Sequence, residues 1–161
     1  MRRFVLVIAS LAAALALSVP VADAESGSTG AQVFAASGSF VEHPVLTPVR
    51  TAGGVMIFDA GGTEVLTGTF SGSVEVTGHC ILRRGTQVTC AVREAFTGTV
   101  KDHSGSVVWF AVAQIDFATG AISGNFAIIS GSGGLTGLHG AGTFTGMGGS
   151  GSYRGQFVFA G

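Results

Sequence analysis

The stretch VEVTGHCILRRGTQVTCAVREAF, residues 74–96, decides the fold because it predicts a β-hairpin whose register can be tested. Apolar and polar residues alternate on both sides of a turn signal at Gly85, as in half-buried antiparallel strands. A turn centred on Gly85 brings four pairs of side chains opposite each other on one face: Cys80 and Cys90, Leu82 and Val88, Val76 and Glu94, and Val74 and Phe96. A one-residue slip would move all of them to the other face, so their mostly apolar character favours this register.

The same apolar face continues from the hairpin into the next two strands. Turns near residues 102–103 and 118–119 keep the alternation in phase and place on this face Val107, Trp109, Ala111, Ala113, Ile115, Phe117, Ile122, Gly124, Phe126 and Ile128. Beyond residue 24, no window of the sequence has apolar residues at helical spacing. We therefore expect an all-β chain of antiparallel strands.

Turn residues divide the rest of the chain into further short strands. A strand over 32–43 is expected to end before Pro44 and Pro48, since proline cannot donate to a ladder. Further strands are expected over 55–59 and 64–70, separated by a turn at 60–62, and over 143–146 and 152–160, preceded by a glycine-rich loop over 131–142 with Leu135 and Leu138 beneath it. About eight or nine strands joined mostly by hairpins favour a small antiparallel up-and-down β-barrel.

The N-terminal residues have the features of a secretory signal peptide. Two arginines precede an apolar run over 4–17, and Ala22, Asp23 and Ala24 supply a small-residue cleavage site. The run is shorter than the roughly 20 residues that a membrane helix needs, so we expect cleavage and no stable membrane anchor. The chain then divides into a signal peptide (1–24), a flexible tail (25–31) and one barrel domain (32–161). The expected location is secreted, periplasmic or extracellular.

Charge and composition exclude several classes of partner. The chain has 8 Lys and Arg against 9 Asp and Glu, and no basic cluster exceeds the pair Arg83-Arg84, which excludes nucleic acid. Glycine is frequent, at 27 residues, but Val, Ile and Phe fill the intervals and can bury apolar area, which excludes low-complexity disorder. The 4 histidines are scattered, and no pattern indicates a cofactor or a metal ion.

Cys80 and Cys90 are the two cysteines of the sequence. In an exported chain, cysteines that lie opposite each other predict a cross-strand disulfide bond. Two buried free thiols are the alternative. A zinc site is disfavoured because His79 points to the other face and no second pair of ligands has suitable spacing.

Glu94 is the one charged residue that the register places on the apolar face. Burial there raises the pKa of its carboxyl group, which suits a proton donor or a ligand anchor at the mouth of a barrel. Alternatively, Glu94 pairs with Arg93 or a backbone donor at the rim, or a β-bulge turns it outward. Together with Glu94, four aromatic residues are candidates to line a ligand site: Phe96, Trp109, Phe126 and Tyr153.

The opposite, polar face has one apolar exception. Val108, Phe110 and Val112 point outward on a single strand and form an apolar stripe. This outer stripe predicts an interface with another copy of the chain or with another partner, and hence a homo-oligomer as one expectation.

Three motifs carry a resemblance to a known family: FTGTV (96–100), SGS (104–106) and GSGGLTGLHGAGTF (131–144). They resemble the bacterial domain of unknown function 3224, a family similar in fold to allene oxide cyclase and to plant dirigent proteins. The resemblance extends from Glu64 to the C-terminus and implies an eight-stranded antiparallel barrel with a small interior, often oligomeric and without an established activity. Ala95 and His139 depart from the family pattern, which has arginine at both positions, so arginine-dependent chemistry is not implied.

Three functions are compatible with these features. The favoured one is an exported barrel that binds a small, mostly apolar molecule in its interior or mouth. The second is a non-catalytic structural or interaction module whose interior is filled and whose outer stripe forms an oligomer. The third is an isomerase or cyclase, which ranks last because the sequence shows no second catalytic residue beside Glu94 on the inner face. The volume of empty space inside the barrel distinguishes the first function from the second.

Overall fold

The computed structural model describes residues 32–83 and 85–160, and these residues form a closed barrel of eight strands. The strands are β1 (Val33–Ala52), β2 (Val55–Gly68), β3 (Phe70–Arg83), β4 (Gln87–Val100), β5 (His103–Asp116), β6 (Ala121–Gly133), β7 (Leu138–Met147) and β8 (Ser150–Phe159). Each strand pairs antiparallel with the next one in the chain, and β8 pairs with β1. The predicted all-β up-and-down barrel is therefore confirmed. The signal peptide and tail predicted over 1–31 lie outside the described residues.

The hairpin of β3 and β4 has the predicted register. Cys80 pairs with Cys90 and Val76 with Glu94, and the next two turns keep the apolar face in phase through β5 and β6. A bulge beside Trp109 shifts the pairing of β5 with β6 without turning the inner face of β5 outward. The prediction is wrong for Phe117, which follows the last residue of β5 and is 45% exposed. Side chains alternate between the two faces only within a strand, so this pattern does not determine the direction of a residue beyond the end of the strand.

β1 continues through both prolines, so the predicted strand end at residue 43 is wrong. β1 pairs with β8 only as far as Val41. The N–H of Glu42 donates to the carbonyl oxygen of Gly149 on the β8 side. Because alternate residues direct their backbone groups the same way, the nitrogens of Pro44 and Pro48 face the side where β8 no longer pairs. The prolines therefore cost no ladder hydrogen bond, and they protect this edge against pairing with another chain.

β2 is also continuous, so the turn predicted at 60–62 is wrong. Ala60, Gly61 and Gly62 pair with β1 on one side and with β3 on the other. Gly62 has a φ of +134°, and a Cβ there would collide with the carbonyl oxygen of His43. The glycine thus permits a close approach of two strands and does not mark a turn.

The glycine-rich segment forms strands where a long loop was expected over 131–142. β6 extends to Gly133 and β7 begins at Leu138, so residues 134–137 alone connect them. Leu135 and Leu138 are fully buried, as predicted. They contribute to the core at the end of the barrel where β6 meets β7.

Aromatic side chains fill that same end of the barrel. Phe70, Phe96 and Phe157, which we call the aromatic plug, are at most 1% exposed. The ring of Phe70 packs edge-on against Phe96 and Phe157, with centroids 5.6 and 5.2 Å apart. Inward glycines make room for these rings, since a Cβ at Gly98 would collide with Phe96 and one at Gly155 with Phe157. This pairing of large and small inward residues explains part of the high glycine content.

Candidate functional site

The barrel holds a cavity between the aromatic plug and the end at which β3 joins β4. The space open to the centres of water molecules is about 100 Å³, and all the space between side chains, the open mouth included, is about 840 Å³. A single water needs about 10–15 Å³ on the first measure, so there is room for a small molecule. The apolar part of the lining is formed mainly by Phe40, Leu46, Leu66, Val76, Val92, Ala113, Ile115, Ile122 and Phe144.

The candidate residues from the sequence lie at the floor and wall of this cavity, with one exception. Glu94, Trp109, Phe126 and Tyr153 line it. Phe96 belongs to the plug beneath and stacks on Trp109, with ring centroids 5.8 Å apart. Phe96 therefore supports Trp109 from below. A role of these residues in ligand binding stays a prediction.

Glu94 faces the barrel interior and is 8% exposed. It lies opposite Trp109 in the β4–β5 pair, and the indole Nε1–H donates a hydrogen bond to its Oε2. The alternative of a β-bulge that turns Glu94 outward is wrong, because β4 keeps its register there. The alternative of a pair with Arg93 at the rim is also wrong, because the hydrogen-bond partner is Trp109.

Two further carboxyl groups, those of Glu42 and Glu64, line the same cavity. The two residues lie opposite each other in the β1–β2 pair. Sequence reasoning missed both, because it assigned no inner face to the strands predicted over 32–43 and 64–70, in which these residues lie. The available signal was alternation: Glu42 follows inward Phe40 by two residues, and Glu64 precedes inward Leu66 by two. The expectation that Glu94 is the one charged residue on the inner face is therefore wrong.

Burial raises the pKa of all three carboxyl groups. Desolvation, followed by the negative charges of Glu94 and Glu42, raises the pKa of Glu64 to about 8. Desolvation raises the pKa of Glu94 to about 7, with the hydrogen bond from Trp109 acting to lower it and the charge of Glu42 to raise it. Desolvation also raises the pKa of Glu42. The cavity thus holds acids that exchange protons near neutral pH.

Tyr153 is held by the backbone across the barrel. Its hydroxyl accepts a hydrogen bond from the N–H of Phe70 at 2.9 Å, and it lies 3.2 and 3.3 Å from the carbonyl oxygens of Phe70 and Thr67, to which it can donate. The hydroxyl is therefore occupied by the turn between β2 and β3. What Tyr153 offers the cavity is its ring.

Cys80 and Cys90 form the predicted disulfide bond, and the free-thiol alternative is wrong. Their Cα atoms are 4.0 Å apart, the close approach of a non-hydrogen-bonded antiparallel pair. Both residues line the cavity, so the bond ties β3 to β4 in its wall.

The outer stripe lies on the outside of β5. Phe110 is 45% exposed, and Val108 and Val112 are partly buried. Phe110 lies between Arg93 of β4 and Ala127 of β6. The interface assigned to this stripe stays a prediction.

Residues 32–83 and 85–160 contain neither a cluster of metal-ligating side chains nor a membrane-spanning helix. In this part of the chain, no three His, Cys, Asp or Glu side chains are arranged to hold a metal ion. No helix there is long and apolar enough to cross a lipid bilayer. His79 is on the outer face, where its Nδ1 lies 3.0 Å from a carboxyl oxygen of Asp59.

Comparison with known proteins gives a family and a fold. The model of a family described as a protein of unknown function (DUF3224) matches residues 51–157. A crystal structure of a protein of unknown function from the DUF3224 family, from Shewanella oneidensis MR-1, is similar over 81% of this chain and 99% of its own, with a TM-score of 0.65 and 18% identity. At that identity, the likeness shows the fold alone. None of the curated proteins compared with the chain matches it.

Proposed function

Since the chain belongs to the DUF3224 family, whose function is unknown, we propose a function from its cavity: an exported barrel that binds a small, mostly apolar molecule. The observation that carries the proposal is an apolar cavity that also holds the carboxyl groups of Glu42, Glu64 and Glu94. Small-molecule sites typically combine apolar walls with a few placed polar groups. The aromatic plug forms the floor, so the molecule enters from the opposite end.

The alternative of a structural module with a filled interior suits only one end of the barrel. The aromatic plug fills that end, whereas the other end has space for several waters or a ligand. A module that only packs and oligomerises has no need of three partly desolvated carboxyl groups, which cost stability when they ionise.

The binding test uses N-phenylnaphthylamine, a neutral dye whose emission rises in apolar sites. We expect saturable binding to the unaltered protein. Ala113→Leu places a larger side chain in the cavity and should weaken binding about tenfold. Ala91→Leu is the matched control, because Ala91 lies on the adjacent strand with its side chain exposed. Absence of binding, or equal losses in the two variants, would overturn the proposal.

Export is the second part of the proposal. A disulfide bond is compatible with an oxidising compartment outside the cytoplasm. N-terminal sequencing of protein recovered from outside the cytoplasm should find Glu25 as the first residue, following the cleavage site predicted at Ala24. Recovery of chains that retain residues 1–24 would contradict this part and leave the binding proposal intact.

An isomerase or cyclase, in line with the resemblance to allene oxide cyclase, is a second candidate. Glu64 and Glu94 favour it, because two acids with different raised pKa values in one cavity can donate and accept a proton near neutral pH. A suitable probe is a β,γ-unsaturated cyclohexenone, which becomes conjugated when a base removes the α-proton and an acid returns a proton at the γ-carbon. Turnover that is lost in Glu64→Gln and Glu94→Gln but kept in Glu75→Gln would support catalysis. Equal rates with and without protein would count against it.

A further inference from the structure

We propose that the molecule bound in the cavity carries a protonated amine on an apolar body, with the amine placed among the carboxyl groups of Glu42, Glu64 and Glu94. This inference rests on the proposed function, because it assigns the chemical class of the bound molecule. It follows from the charges that line the cavity, from an unpaired acceptor on Glu94 and from the aromatic floor.

The charges lining the cavity have a single sign. The three glutamates come from three different strands, β1, β2 and β4. Among the described lining residues there is no Lys, Arg or His. The remaining titratable side chain is Tyr153, whose hydroxyl is bound to the backbone of Phe70, and the lining cysteines are joined in a disulfide. The described part of the protein therefore supplies no cation to these carboxyl groups.

Glu94 has an acceptor atom that the protein does not use. Its Oε2 accepts from Trp109, and no donor among the described residues bonds to Oε1. The side chain is more than nine-tenths buried and lines the cavity. Among the described residues, no buried side-chain oxygen lacks a hydrogen-bond partner, so this Oε1 is open to the cavity and can accept a hydrogen bond there. The arrangement points to a donor that arrives with the bound molecule.

The sign of the charge selects between head groups. Electrostatic interactions are stronger in a partly desolvated site than in water. Ionised glutamates in the cavity therefore repel a carboxylate or phosphate and attract a cation. A protonated primary amine brings three N–H donors and a positive charge, whereas an alcohol brings one donor and no charge. An alkylamine resembles a lysine side chain, with a pKa of roughly 10.4, and stays protonated at neutral pH.

The floor of the cavity suits an apolar body next to that head group. Trp109 and Phe126 pack together there with ring centroids 5.6 Å apart. The ring surfaces that line the cavity allow both burial of hydrocarbon and attraction of a cation to an aromatic face. An amine without an apolar body would leave this surface in contact with water.

The experiment compares octylamine, octanol and octanoate as competitors of N-phenylnaphthylamine, because these compounds share one chain and differ in the head group. At about pH 9, where both Glu64 and Glu94 are ionised and an alkylamine is still protonated, we expect octylamine to bind about tenfold more tightly than octanol, and octanoate to bind more weakly than octanol. The affinity for octylamine should rise as the pH increases through about 7 and about 8, where Glu94 and Glu64 lose their protons. The affinity for octanoate should fall over the same range.

Variants of the glutamates locate the effect. Glu64→Gln and Glu94→Gln keep nearly the same shape, and at about pH 9 each should weaken octylamine binding about tenfold, with octanol changed by less than about twofold. Glu75→Gln removes the same charge from the exposed face of β3 and should change neither affinity.

The outcomes separate this inference from the function on which it rests. If the dye binds and octanol or octanoate competes as well as octylamine, the cavity binds apolar molecules but has no preference for an amine, and this inference is wrong. If neither the dye nor any octyl compound binds, both proposals are overturned. Should a glutamine variant fail to fold, the order of the three competitors on the unaltered protein still decides the question.

Discussion

Trp109 and Glu94 face each other across β4 and β5, and the indole Nε1–H of Trp109 donates a hydrogen bond to Oε2 of Glu94. Trp109 is the single tryptophan of the sequence, so tryptophan fluorescence reports on this one carboxyl group. We expect the emission of the protein to change with pH through a transition centred at about 7, the pKa to which burial raises Glu94. Glu94→Gln should abolish the transition and Glu75→Gln should preserve it. A transition that persists in Glu94→Gln would mean that another group titrates beside the indole.

The buried carboxyl groups should make folding less stable in alkali than in mild acid. The pKa values of Glu64 and Glu94 in the folded protein are about 8 and about 7, whereas an unfolded glutamate has a pKa of roughly 4.3. The contribution of the protonated groups to the free energy of unfolding is complete below roughly pH 4.3. It is lost as the pH rises through the pKa values of the folded protein. We expect the free energy of unfolding in urea to fall by several kcal/mol between about pH 5 and about pH 9.

Glu64→Gln provides the control for this pH dependence, because an amide does not titrate. The variant should show a smaller fall over the same range, and Glu75→Gln should behave as the unaltered protein. A free energy of unfolding that rises between mild acid and mild alkali would contradict the burial of these carboxyl groups.

Reducing the disulfide bond should destabilise the barrel without changing its strand topology. The bond joins residues with a sequence separation of 10, for which the chain-entropy model gives about 3 kcal/mol. Urea unfolding with and without reductant measures the difference, and a double variant with Cys80→Ala and Cys90→Ala should not respond to reductant. Alkylation of two thiols in native, unreduced protein would show that the bond is absent.

Phe110→Ser should weaken self-association and leave the fold intact. The side chain is 45% exposed on the outer face of β5, and burying a phenylalanine contributes about 1.5–3 kcal/mol. Sedimentation velocity at several concentrations should show a shift towards monomer, with Gln114→Ser, further along the same exposed face, as a control. An unaltered protein that is already monomeric at high concentration would refute an oligomer built on the outer stripe.

The central hairpin was predictable because its information is local. Gly85 and the alternating residues on either side of it lie within one short segment, and each correct pair follows from the one before it. The inward position of Glu94 and the disulfide followed from that register. The continuation through β5 and β6 succeeded for the same reason and failed only at Phe117, where the strand ends.

The first two strands were less predictable because their behaviour depends on where their neighbours stop. Pro44 and Pro48 break a strand that has partners on both sides, but β1 has lost β8 as a neighbour by that point. Gly61 and Gly62 are as typical of a turn as of a close strand contact, and the choice depends on a distant part of the chain. No register was predicted for these two strands, so Glu42 and Glu64 were assigned to neither face. The cavity itself depends on how side chains from all eight strands meet, which no local pattern records.

The aromatic plug makes the barrel a cup with one opening, and this limits what a bound chain gains from length. Phe70, Phe96 and Phe157 leave no passage at the bottom, since each is at most 1% exposed. A molecule that fits inside gains about 0.8 kcal/mol for each methylene group it buries. Once the chain is longer than the cup is deep, every further methylene stays in water and adds nothing. Across a series of alkylamines, affinity should therefore climb with chain length and then level off, and the chain length at the break measures the depth of the cup in solution.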